Sequence, residues 1–204
     1  MQEVASYFLS TTPPSRIGLF RLRSNSLNQA GMAIATSLEK VGKRVLLLRG
    51  DFQRDGADMV AASPEGIREG PIVEWKTHND RLRREERTSD ILLFLLHPEM
   101  FWLPRLLPLL SFLVLLLPGE KNEALDAYRS AKGLLLEHEN LPVGLLATGE
   151  SPAAAAVLDR FLLGFRAFLG INPVNLGTTP LVCAMEIANL KLDAPAEAYF
   201  LGNS

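Results

Sequence analysis

Arg21, Arg23, Arg49 and Asp51 are the residues of this chain best placed to meet a ligand. Each ends or follows a short apolar run that reads as a β-strand, Ile17–Leu22 for the first two and Arg44–Leu48 for the others. Doubly wound sheets bind ligands at the carboxyl ends of their strands. Arginines at or near such ends on adjacent strands are candidates for holding an anion, a nucleotide in an unconventional pose included. Asp51 has two readings, a water-positioning acid and a surface acid at a strand end. The rest of the polar inventory carries less chemistry. His78, His97 and His138 fall on different segments, so no metal site is expected. Cys183 is the single cysteine; it excludes a disulfide framework and a cysteine-based metal cluster within one chain, and reads as a small buried residue. Neither a G-x-S-x-G turn nor a paired-carboxylate signal is present.

Short apolar runs alternate with longer segments of helical period, the pattern of βα units on a parallel sheet. The strands are read at Ile17–Leu22, Arg44–Leu48, Ile91–Leu96, Phe112–Leu117, Val143–Ala147 and Val174–Leu176. Most lack alternation, as expected when helices cover both faces. Helical spacing marks Asn28–Val41, Asn122–His138 and Ala153–Leu169, the last placing Val157, Leu158, Phe161, Leu162, Phe165 and Phe168 at three- and four-residue steps. The fold class expected is α/β, a doubly wound, mostly parallel sheet with helices on both faces. The domain runs over 16–190, after an N-terminal extension (1–15) and before a C-terminal tail (191–204). Within the extension, Gln2–Leu9 reads as an appended helix, joined through Thr11-Thr12-Pro13-Pro14-Ser15. The interval Asp51–Ser89 is irregular, and its charge run Arg81–Arg87 reads as a solvated helix face or a docking surface.

Charge and apolar content exclude several classes. With 21 Lys+Arg against 23 Asp+Glu the formal net charge is −2, which argues against broad capture of nucleic acid. A 48% hydrophobic fraction rules out a largely disordered chain. The apolar stretch Met100–Pro118 approaches the length of a membrane span but contains Pro104, Arg105 and Pro108. A central arginine is costly in lipid and prolines break the helix. The stretch therefore reads as a short helix near Glu99–Leu110 followed by a buried strand, with no integral membrane span. No signal peptide is apparent at the N-terminus, so the expected location is the cytoplasm.

Three segments carry a family likeness. Gly42–Gln53 reads GKRVLLLRGDFQ and is similar to the "GKRVLLVDxDxQ" second strand of the MinD/ParA P-loop ATPases. Pro118–Lys132 (PGEKNEALDAYRSAK) resembles the "PEPTSxxDAYxxxK" segment of MinD and of its flagellar relative FlhG. Phe168-Leu169-Gly170 with Asn175–Pro180 (NLGTTP) is similar to the "FLG … LGxIP" end of the FlhG sheet. The three occur in family order across roughly Arg16–Leu181.

The departures fall on the chemistry. Counting back from Gly42 without a gap, the family's KGGxGKTT loop lies on Leu22–Gln29, LRSNSLNQ. Leu22 then stands for the signature lysine, Leu27 for the P-loop lysine and Asn28 for the Mg²⁺-binding threonine, while Arg23 and Ser26 fall at glycine positions. In an active loop the glycines let backbone N–H groups close on phosphate, the lysine neutralises its oxygens and the hydroxyl holds Mg²⁺. No glycine occurs between Gly18 and Gly31, so the loop cannot easily form an anion nest. Leu95 stands at the Walker B acid, Arg49 at the first acid of the Asp-x-Asp pair, and Ala147 at the adenine-reading asparagine.

The resemblance with these losses implies a pseudo-ATPase. It implies a non-catalytic regulator with no cofactor, acting through protein contacts in spatial positioning, with flagellar or motility regulation favoured. Alternatives are a ParA-like partner in chromosome partition or secretion-machinery positioning, and a residual nucleotide-binding ATPase that uses the arginines. FlhG's activating "DQAxxLR" motif is not found in Met1–Ser15, and Leu192–Ser204 has no Lys or Arg for a MinD-type membrane helix. The implied partner is a second copy, an active ParA/MinD-like ATPase or a motility regulator. Leu22, Leu27 and Leu95–Leu96 put apolar side chains where phosphates would sit. They would either present a solvated apolar face that drives association, with His97, Phe101 and Trp102 at its rim, or close an empty pocket from inside.

Overall fold

The computed structural model describes residues 14–21, 27–50, 56–63, 66–74, 85–98, 100, 103–117, 124–138, 140–149 and 151–192. The expected helix Gln2–Leu9 and the tail beyond Leu192 lie outside these residues. The elements are β1 (Ser15–Arg21), α1 (Leu27–Lys40), β2 (Val45–Gly50), β3 (Gly56–Ser63), β4 (Gly66–Glu74), a helical turn at 85–88, and β5 (Ile91–Leu96). They continue with α2 (Leu103–Leu106), a 3-10 turn (Leu107–Leu109), β6 (Phe112–Leu117), α3 (Ala124–Glu137), β7 (Val143–Ala147), α4 (Pro152–Leu169), β8 (Val174–Asn175) and α5 (Pro180–Asn189).

The eight strands form one sheet in the order β4-β3-β2-β5-β1-β6-β7-β8. The run from β2 to β8 is parallel throughout, and these are the six strands read from the sequence. Their unbroken apolar runs have a simple cause. On β5, Leu92, Phe94 and Leu96 enter one core with α2, α3 and α4, while Ile91, Leu93 and Leu95 enter the other with α1 and α5. On β5, β6 and β7 both sides of the pleat are buried throughout, so no position there is left for an alternating polar residue. The chain is an α/β, doubly wound, mostly parallel sheet covered on both faces.

Two readings need correction. The irregular interval after Asp51 contains an antiparallel hairpin, β3–β4, which extends the sheet beyond β2. Its register shifts between Asp58 and Val60, opposite Gly70-Pro71, so a bulge on the edge strand accommodates a proline with no N–H to donate. The helix expected at Glu99–Leu110 is a single α-turn that tightens to 3-10 geometry over Leu107–Leu109, since Pro108 cannot supply an α-helical hydrogen bond. Helix α5 packs Cys183, Ala184 and Ile187 against the α1 core, and Leu192 still touches that core. The α5 start was signalled by Thr179-Pro180: the Thr179 hydroxyl accepts from the Val182 N–H, with proline at the first turn. Ser151-Pro152 opens α4 in the same way, and Gly170 closes it at φ 68°, an angle costly for any other residue. Among the described residues no helix is long and apolar enough to cross a membrane.

Candidate functional site

The sheet has two edges of opposite character. At the carboxyl edge, β1 ends at Arg21 and α1 begins at Leu27; Leu22, Arg23 and Ser26 lie outside the described residues, as do Asp51, Phe101 and Trp102. Leu27 opens α1 as a buried residue while Asn28 beside it is exposed. Leu95 is 2% exposed and Ala147, at the end of β7, is fully buried. Helix α1 approaches β5 closely here. A Cβ added at Gly31 would stand 2.5 Å from Leu95 Cδ2 and 3.3 Å from its Cγ. A side chain at position 31 would therefore collide with Leu95, and the glycine lets the helix seat directly over it.

This geometry places three of the four leucines. Leu27, Leu95 and Leu96 do not present a solvated apolar face; all three are packed inside the chain, Leu27 and Leu95 in the α1 core and Leu96 in the opposite one. The pleat forces that split, because successive residues of one strand point to opposite faces. At these three positions the apolar side chains close the space from within.

The arginines are not on adjacent strands. Arg21 is on β1 and Arg49 on β2, and β5 runs between them. Arg49 pairs in register with Leu95, as does Leu19 on the other side, so Arg21 lies two residues further along and two strands across. At ~4.8 Å per strand that separation is ~10 Å laterally. His97 follows β5 half-buried; its N–H donates to Met100 Sδ at 3.4 Å and its carbonyl accepts from the Met100 N–H. Among the described residues no three His, Cys, Asp or Glu side chains are grouped as a metal site. Cys183 is fully buried and burial pushes its thiol up to about 12, so it is protonated and unreactive at neutral pH.

Two ion pairs stand at the amino edge, where the sequence reading placed nothing. Arg44, immediately before β2, and Asp90, immediately before β5, stand side by side because Val45 and Ile91 are register partners. The Asp90 carboxylate accepts from the Arg44 backbone N–H (2.8 Å), Nε (3.3 Å) and Nη2 (2.9 Å), and the Asp90 N–H donates to the Arg44 carbonyl. Partial burial alone would raise the Asp90 carboxyl; the hydrogen bonds and charge of Arg44, with Lys43 nearby, outweigh it and hold the group below the usual range. Arg44 is raised in turn, chiefly by its side-chain hydrogen bond to Asp90. The second pair is deeper: Arg16 Nη2 lies 3.6 Å from Glu86 Oε1, with the side chains 0% and 2% exposed. Glu86 belongs to the charge run read as a solvated helix face or docking surface, and at this residue it turns inward to meet Arg16. The available signal was Arg16 itself, a lone charge opening an apolar strand that must find a buried partner.

Chemically, then, the carboxyl edge supplies apolar packing at Leu27, Leu95 and Ala147, and the amino edge supplies ion pairs that fix strand register. Among the described residues neither edge brings together an acid, a base and a nucleophile. No protein-family model matches the chain, and neither does any curated protein.

Proposed function

We propose that this protein is a non-catalytic regulator built on a MinD/ParA-like frame, acting through protein contacts in spatial positioning rather than by turning over nucleotide. The observation that carries the reading is the fate of Leu27 and Leu95. These stand at the positions of the phosphate-loop lysine and the Walker B acid, and both are buried against each other's elements, with Gly31 seating α1 on Leu95. Charged phosphate and Mg²⁺ would have to displace packed leucines there and would find no compensating charge at either position. The connectivity supports the same frame: a first strand leading into α1, and β5 inserted between β2 and β1. The likeness of Pro118–Lys132 to FlhG favours motility regulation among the spatial roles. The residual-ATPase alternative has less support, since β5 separates Arg21 from Arg49.

Calorimetric titration with ATP and Mg²⁺, paired with a phosphate-release assay, tests the proposal. No ATP-dependent heat and no turnover are expected. Micromolar binding with turnover that Asp51→Ala abolishes would overturn it.

A further inference from the structure

Apolar side chains are exposed on the last turns of α3 and α4, at the amino edge. Leu136 is 59% exposed and Phe168 78%, although helical period puts Phe168 on the same side of α4 as Phe161 and Phe165. Phe168 extends past the end of the core instead of packing into it. Beside it, a groove of about 300 Å³ runs between the last turns of α3 and the α4–β8 turn, lined by Lys132, Leu135, Leu136, Leu169, Gly170 and Ile171. Five of those six are apolar, and Lys132 is the single charge.

We propose that this groove is the docking site of the chain's own N-terminal segment, with Val4, Tyr7 and Phe8 as the inserted residues. Those three side chains fall at the i, i+3, i+4 spacing of one helical face, the spacing by which helices fill apolar grooves. Glu3 is the only charged side chain before Pro14 and complements Lys132. The attachment point is also on the correct side. β1 begins at Ser15 on the amino edge, and both α3 and α4 end there, since they lead into the starts of β7 and β8. From β1 to β7 is two strand spacings, ~10 Å, and one layer up is ~10 Å more, a displacement of ~14 Å. Ser10–Pro14 spans up to ~17 Å when extended, enough to make the connection. The C-terminal segment is worse placed, because the chain reaches Leu192 against the α1/α5 core on the other face.

Cross-linking in the full chain tests the proposal. Cys183 is buried and protonated, so introduced thiols are the reactive ones. The pair Phe8→Cys with Leu136→Cys should oxidise to an intramolecular disulfide in most of the protein at low micromolar concentration. A control pair, Phe8→Cys with Leu181→Cys, uses a 48% exposed leucine on the far helix α5 and should yield several-fold less. In the chain without added cysteines, Phe8→Asp should raise the fluorescence of an apolar dye several-fold by uncovering the groove. Equal yields from both pairs, a product that is chiefly intermolecular, or no dye response to Phe8→Asp would overturn the assignment.

Discussion

Replacing Gly31 by alanine separates two effects of opposite sign. In an ordinary helix interior, Gly→Ala stabilises by ~1 kcal/mol, because alanine loses less backbone entropy on folding. At position 31 the new Cβ would sit 2.5 Å from Leu95 Cδ2, 3.1 Å from Cδ1 and 3.3 Å from Cγ, so most of the leucine tip must move. Leu95 is 2% exposed inside the α1 core and has little room to turn. Overpacking of this kind costs ~1–3 kcal/mol. The expected net effect of Gly31→Ala is a destabilisation of up to ~2 kcal/mol, which for a domain of this size lowers the melting temperature by a few degrees at ~2–4 °C per kcal/mol. Leu95→Ala should cost ~2–5 kcal/mol by opening a cavity. In that background the clash is gone, so Gly31→Ala should become stabilising by ~1 kcal/mol, a reversal of sign and a coupling of ~1–3 kcal/mol. Urea unfolding followed by far-UV circular dichroism on the four proteins measures the cycle. If Gly31→Ala raises the midpoint equally with and without Leu95, α1 does not rest on that leucine, and the packing that underlies the proposed function is refuted.

Two further outcomes concern the amino edge. Asp90 has a folded-state carboxyl held below its unfolded value, so its contribution is present above the unfolded pKa and is lost as pH falls through the folded one. Asp90→Asn should therefore lower stability at neutral pH and flatten the acid limb of a pH–stability curve below about pH 4; with Arg44 and Asp90 42% and 32% exposed, the loss is limited to about 1 kcal/mol. Glu86→Ala should cost more, ~3–5 kcal/mol, because it removes an ion-pair partner of the fully buried Arg16 guanidinium, and Arg16→Met with Glu86→Leu should recover most of that loss in the same urea assay.

What could be read in the sequence was what periodicity encodes. The six parallel strands are continuous apolar runs because two cores compete for alternate residues of each, and no loop chemistry is needed to see them. The hairpin was illegible for the reverse reason. Its strands carry Asp58, Arg68, Glu69 and Glu74 among small residues, and Pro71 argues against a strand unless a bulge is foreseen. Helix α5 was missed although Thr179-Pro180 announces it, because its apolar residues crowd together: Leu181, Val182 and Met185 are exposed alongside buried Cys183 and Ala184. At the candidate site, residue identity fixed which groups were missing, but not their consequence. Whether Leu27 and Leu95 face solvent or the core depends on the register of β5 against β1 and on the depth of α1. Gly31 sets that depth, and nothing in its sequence neighbourhood marks it. The buried pair was hidden because Glu86 is 70 residues from Arg16 along the chain and sits in a run that otherwise reads as surface.

The contrast between the edges bears on how such a frame can stay folded without a ligand. A phosphate-binding loop holds backbone N–H groups and cationic side chains in place for an anion, and an empty one leaves those groups mutually repelling or dependent on water. On the proposed alignment Leu27 and Leu95 stand where such a loop carries charge, and they add buried apolar surface, at ~1.5–3 kcal/mol for each fully buried side chain. The gain is independent of any ligand, so stability at this edge is constitutive. The amino edge behaves differently, because Arg16–Glu86 and Arg44–Asp90 contribute little net energy against their desolvation but tolerate only one alignment of β1, β2 and β5. Apolar filling at one end of the strands and ion pairing at the other thus divide the work: the leucines supply cohesion, and the paired charges supply register. The packing of Leu27 and Leu95 and the alignment of β1, β2 and β5 thus rest on contacts within the chain itself.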